Sequence, residues 1–401
     1  MKNPVIVFFF IFINLYYPIS PYLCMGIDLI FAIFWGNWKI IKRYSNYIFV
    51  SALLLFGALV SIGLSLEPEE QVLLKYLRTF ISTVLLVIAA SGLRISASSF
   101  LHILSFVFLL HIIAIVIQMI FPPASWIMAP LFNFDRDIDI IQSMQLRKMG
   151  LSGGYDAAAM LLISGVLLYF YQFFYKQKIL YFVFSVLGMA MTLFVSRTGM
   201  LMAAGCMVYF AIISIRSKKT VRKMGILMSV LFGMVVVNLI LPFLVETNGL
   251  IFDVEIHSDA DVSFFTQDYS SGNSSAEHLM GDHLFIIEKL NPLQFLLGAG
   301  NSSKSDIGYV QMLFQTGLLG VLLIIFLHLS MFKGLWKFKP EDSSQSTLKS
   351  FCLAYIVVLF LFNYKVLLLY SRGFYDFLLI CCVYINNIKC INRIKTYEYK
   401  I

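Results

Sequence analysis

Apolar stretches of membrane-helix length run through this chain, and its cations collect in every second gap between them. A helix that crosses a bilayer needs about 20 largely apolar residues. Stretches 4–19, 23–38, 46–65, 74–93, 98–121, 156–175, 179–195, 198–215, 224–244, 307–328, 350–368 and 372–387 reach or approach that length. Read as helices, they predict an all-α, polytopic integral membrane protein of about 12 transmembrane helices, forming a single transmembrane domain over 1–401.

Charge then sets the sidedness. Strict alternation gives one side Lys2, Lys39, Lys42, Arg43, Arg94, Lys176, Lys178, Arg216, Lys218, Lys219, Arg222 and Lys223. The same side receives Lys333, Lys337, Lys339, Lys349, Lys389, Arg393, Lys395 and Lys400, which makes 20 of the 30 Lys and Arg residues. Of the 22 acids, only Glu341, Asp342 and Glu398 fall there. Cytoplasmic loops carry the excess of Lys and Arg, so both termini are expected in the cytoplasm and the larger polar loops outside.

Composition agrees. With 60% hydrophobic residues, mean hydropathy +0.84 and 13% charged residues, the chain is excluded from the ordinary soluble domains. The net charge of +8 is scattered through short loops rather than gathered in a stripe, so nucleic acid is not an expected partner and the lipid bilayer is. Met1, Lys2 and the run Val5 to Ile19 resemble a signal peptide, but no small-residue cleavage site follows, and a retained first helix is expected. Cys206, Cys352, Cys381 and Cys382 lie in apolar runs, Cys390 in the basic tail and Cys24 near an outer turn. They read as packing or lipid-facing residues, not a disulfide framework.

Two outer loops exceed simple turns. Residues 122–155 hold Pro122, Pro123, the cluster Asp135-Arg136-Asp137 and Arg147-Lys148. Residues 245–306 carry ten acids against Lys289 and Lys304, and are expected to pack on the bundle as loops and short amphipathic helices. Long polar loops of this kind tend to carry function.

Nucleotide and metal signatures are absent, and no cofactor or metal is expected. Gly298 to Ser305 imitates a phosphate loop, but Ser303 stands where that motif needs Gly before Lys304, so a Gly/Ser turn is the better reading. What the sequence does place at outer helix ends is cations: Lys75 and Arg78 on one face, Arg147 before Gly150, Arg197 in a short turn, and Arg372 between the last two stretches. Cations at a membrane boundary are costly unless they snorkel or meet an anion. Five of them against the positive-inside bias point to an anionic ligand, and a lipid-linked pyrophosphate suits guanidinium forks. Asp28 is expected to pair with one of these arginines, His111 to pack through hydrogen bonds, and Asp156 to cap the helix after it.

Three patterns carry a family resemblance. Arg147-Lys148-Met149-Gly150 leads into a helix; Ser196-Arg197-Thr198-Gly199 forms a turn; and Asn291-Pro292, Gly298-Ala299-Gly300, Asp306-Ile307-Gly308-Tyr309 and Thr316-Gly317 follow in order. Together they resemble the Wzy-type O-antigen and capsular polysaccharide polymerases, which are related to the O-antigen ligases. Ile307 departs from the family pattern, where Asn is usual.

The resemblance implies a GT-C-like glycosyltransferase of the bacterial inner membrane, independent of metal. It would transfer a growing glycan from undecaprenyl pyrophosphate to a lipid-linked repeat unit, beside a flippase and a chain-length regulator. Arg147, Arg197, Arg78, Arg372, Lys75, Tyr309 and Asp306 are the expected pyrophosphate and glycan contacts; His278, His283 and Asp282 are the candidates for the catalytic base. An O-antigen ligase, or a flippase or transporter of lipid-linked oligosaccharide, remains as the alternative.

Overall fold

A computed structural model describes residues 1–16, 21–121, 123–124, 148–152, 154–215, 286–303, 305 and 307–398. Every regular element among them is helical: α1 (Pro4–Tyr16), α2 (Pro21–Trp35), α3 (Ser45–Gly63), α4 (Glu70–Ser91), α5 (Ala97–Ile120), α6 (Tyr155–Lys176), α7 (Ile179–Met191), α8 (Arg197–Ile215), α9 (Pro292–Leu297), α10 (Gly308–Trp336), α11 (Ser343–Phe362) and α12 (Phe374–Glu398). Short 3-10 turns cover Trp38–Tyr44, Thr192–Phe194 and Ile286–Lys289. The chain divides into one compact unit of Met1–Leu201 with Leu290–Ile401 and another of Met202–Lys289. The first unit holds α1 to α7 and α9 to α12.

Six of the described helices, α3 to α6, α10 and α11, are long and apolar enough to cross a membrane. Helices α1, α2, α7, α8 and the apolar part of α12 are shorter, and the expected stretch 224–244 lies outside the described residues. Helix ends follow capping chemistry rather than hydropathy. Asp342 accepts from the Gln345 N–H at 2.7 Å, so α11 starts at Ser343, seven residues before its apolar run. Helix α10 continues through Lys333 to Trp336 and shortens the expected basic gap. Asp156 is a correction: Gly154 occupies the cap of α6, and Asp156 lies in its first turn.

Hydrogen bonds sort the loops to two ends of the bundle. At one end the Met1 ammonium donates to the Gly92 carbonyl at 2.6 Å, and the Arg94 N–H donates to the Met1 carbonyl at 2.9 Å. Arg43 donates to the Asn386 carbonyl at 2.9 Å, and Lys349 donates to the Trp336 and Phe338 carbonyls at 2.9 and 2.8 Å. At the far end of α4, 22 residues and about 33 Å away at 1.5 Å per residue, the Glu69 N–H donates to the Gly300 carbonyl at 3.0 Å. Cations that the sequence assigns to one side thus share one end of the molecule.

The distal end contains a broken helix. Within α10, Gly317 adopts φ 67°, ψ −175°, a conformation that essentially only glycine holds. The segment Asn291–Gly300 docks against the break. Asn291 and Gln294 form a reciprocal capping box that starts α9. Its trailing Ala299 and Gly300 N–H groups then donate to the Phe314 carbonyl at 2.7 and 3.1 Å. A Cβ on Gly317 would stand 2.4 Å from the Gly298 nitrogen, which is why two backbones can meet here. The expected Gly/Ser turn is therefore a packed structural joint.

Candidate functional site

Polar side chains meet where the N-terminal ends of α4, α10 and α12 come together. Lys75 donates to Gln315 Oε1 at 2.9 Å, and the Tyr76 hydroxyl lies 3.4 Å from Thr316 Oγ1, beside the α10 break. Arg78, one turn further along α4, is half-buried and makes no hydrogen bond to a described residue; its Nε is buried. Arg372 precedes α12 and forms an ion pair with Asp376, Nε to Oδ2 3.9 Å, both side chains being buried. Asp376 also feels the positive charge of Arg78. Two of the sequence-predicted cations, Arg78 and Arg372, thereby share one carboxylate, and the third, Lys75, lies beside Arg78. Tyr370 lies between Tyr76 and Tyr375, its ring tilted against both with centroids 5.4 and 5.2 Å away, and supplies an aromatic wall.

A second polar group lies where the Arg147 to Gly150 motif meets the Ser196 to Gly199 motif. The Lys148 N–H donates to the Phe194 carbonyl at 2.9 Å. Gly150 has φ +57°, and Gln118 of α5 clamps it from both sides, Oε1 accepting from its N–H at 2.9 Å and Nε2 donating to its carbonyl at 3.2 Å. His111 Nδ1 accepts from the Leu151 N–H at 3.1 Å, which leaves Nε2 protonated toward the Ala158 carbonyl at 3.2 Å. Both ring nitrogens are spent on holding this segment, as expected of a packing histidine. Ser196 accepts from the Gly199 N–H at 3.0 Å and so caps α8, making Arg197 its first residue. Lys148 is buried, and burial pulls its ammonium pKa below the ordinary lysine value.

Other expectations fare differently. The Tyr309 hydroxyl donates to the Phe360 carbonyl at 2.8 Å, tying α10 to α11. Asp28 is corrected: it pairs with Asn14, whose Nδ2 donates to Oδ1 at 2.8 Å, not with an arginine. Cys24, Cys206, Cys352, Cys381 and Cys382 are buried and form no disulfide. Arg147, Asp306, His278, Asp282 and His283 lie outside the described residues, as does the Arg197 side chain. Asp376 and Gln315 are the site residues that sequence reasoning missed; the four-residue step from Arg372 to Asp376 was the available signal.

No protein-family model matches the chain, and no curated protein matches it.

Proposed function

We propose that this protein is a polysaccharide polymerase. In this reading it moves a growing O-antigen or capsule glycan from undecaprenyl pyrophosphate onto a lipid-linked repeat unit, at the outer face of the bacterial inner membrane. About twelve spans, both termini in the cytoplasm and a GT-C-like bundle belong to the same proposal. The observation that carries it is the gathering of Lys75, Arg78 and Arg372 at the end of the bundle opposite Met1, Arg43 and Lys349. Cations that oppose the positive-inside bias call for an anion on that side.

The chemistry matches such a cluster. A lipid pyrophosphate is a weak base when it leaves, so its departure needs charge stabilisation more than protonation, and guanidinium and ammonium groups provide that directly. The acceptor hydroxyl needs a base, for which the sequence offers His278, His283 and Asp282. A transporter of lipid-linked oligosaccharide is the second reading. It is favoured by Asp28, fully buried within α2, whose Oδ2 accepts no hydrogen bond from a described residue.

Deletion of the gene with glycan profiling separates them. A polymerase leaves single repeat units displayed and removes long chains; a transporter or a ligase removes surface glycan altogether. Restoration of long chains by the wild-type gene is the expected result, and loss of all glycan in the deletion strain overturns the proposal.

A further inference from the structure

Asp376 is 1% exposed, yet neither carboxylate oxygen accepts a hydrogen bond from a described residue. The Gly373 N–H approaches the carboxylate and favours its charged form without closing a hydrogen bond. Burying a carboxylate in this state is costly unless something keeps it ionised. Two features do. Asp376 lies in the first turn of α12, where the helix dipole favours a negative charge, and Arg372 and Arg78 both bring positive charge to it. Arg78 in turn has donors that no described residue uses. An unused acceptor and unused donors therefore stand within Coulombic range of each other, at the bundle end opposite Met1.

The ligand that complements this pair carries an anion for the guanidinium and a hydroxyl for the carboxylate, as a phosphate-linked sugar does. We infer that Asp376 receives the proton of the acceptor hydroxyl during glycan transfer, an inference that rests on the polymerase reading. The acceptor oxygen forms the new bond to the anomeric carbon of the donor glycan. The bond from that carbon to the pyrophosphate oxygen breaks, and its electron pair stays on the pyrophosphate beside Arg78 and Lys75. The hydroxyl proton passes to Asp376, which releases it to water when the product leaves. In this assignment Asp376 takes the role of base in place of His278, His283 and Asp282.

This assignment makes the reaction sensitive to pH. The groups facing Asp376 are Arg78 from α4, Arg372, Tyr370 and Tyr375 on its own side, Tyr355 from α11 and Asp28 from α2. The two carboxylates, and the Lys75 ammonium beside Arg78, are the groups there that can change charge. Asp376 must be ionised to accept a proton, so turnover at saturating donor falls as pH is lowered.

The test uses full-length protein in nanodiscs, with lipid-linked repeat units from the deletion strain for extension and undecaprenyl pyrophosphate alone for binding. Asp376→Asn keeps the shape and removes the charge. Extension is expected to fall about 10²- to 10⁴-fold, the usual worth of a positioned general base. Undecaprenyl pyrophosphate is expected to bind as well as or tighter than before, because a like charge beside the anion has gone. A merely structural counter-ion would move binding and abundance together instead. Normal extension by Asp376→Asn overturns the inference and leaves the polymerase reading intact. Should that variant not accumulate, the wild-type pH profile decides: a flat acid side overturns the inference. No extension by the wild-type protein removes the polymerase reading, and this inference with it.

Discussion

The Lys148 N–H donates to the Phe194 carbonyl at 2.9 Å, so two motifs that lie 46 residues apart meet through the backbone. Their meeting depends on α5, which holds the Met149–Ser152 turn through Gln118 and His111. Because the contact is made by main-chain atoms, side-chain changes at 148 or 194 leave it standing. What disturbs it is a change in the turn itself.

Gly150→Ala is the sharpest such change. The residue has φ +57°, and a Cβ there would lie 2.6 Å from His111 Cε1. A non-glycine residue in left-handed backbone costs about 1–2 kcal/mol before any steric clash. The expected result is lower thermal stability in detergent and loss of chain extension. Gly57→Ala, with nothing within 4 Å of its Cβ, is the control expected to melt like the wild type.

Arg78→Gln probes binding without dismantling the fold. Arg78 makes no hydrogen bond to a described residue, so protein abundance should hold. A charge-assisted hydrogen bond is worth about 1.5–3 kcal/mol, so undecaprenyl pyrophosphate should bind about 10- to 100-fold more weakly. Glycan chains should shorten in cells. Unchanged affinity and wild-type chain lengths would take Arg78 out of the site.

Much of the helical framework was legible because membrane helices declare themselves by hydropathy, and alternation of Lys and Arg sorted their ends. The helix boundaries were less so: Asp342 caps α11 ahead of its apolar run, and no window average reports a cap. The break at Gly317 was hidden, since Thr316-Gly317 sits in an otherwise continuous apolar stretch and the break arises from docking of Asn291–Gly300. The cations of the site were visible as misplaced charges. Their common partner Asp376 was not, because nothing in the sequence says that Arg78 of α4 faces α12. Asp28 misled for the same reason, its partner being an amide from α1.

Lys148 gives a pH dependence outside the spanning helices. Burial lowers its pKa from the ordinary 10.5, so the folded state binds its proton less readily than the unfolded state. Stability therefore rises with pH across the window between the folded value and 10.5, and burial of the charge opposes folding below that window. Lys148→Met, similar in length and uncharged, should show a shallower rise of stability toward alkaline pH. Melting curves of both proteins across the alkaline range provide the check; equal slopes would mean that Lys148 does not titrate on folding.

Sidedness is the most economical test of the proposed function, because the anion must be where the cations are. Leu293 is 52% exposed on α9 at the distal end, and Lys339 is exposed between α10 and α11 near Lys349. Cys24, Cys206, Cys352, Cys381 and Cys382 are buried, so in a Cys390→Ser background a single introduced thiol should dominate labelling. Leu293→Cys is expected to react with a membrane-impermeant maleimide in cells whose inner membrane is intact. Lys339→Cys is expected to react only after that membrane is opened. The reverse pattern would put Lys75, Arg78 and Arg372 on the cytoplasmic side, where positive charge needs no ligand to explain it, and the case for a pyrophosphate site would be gone.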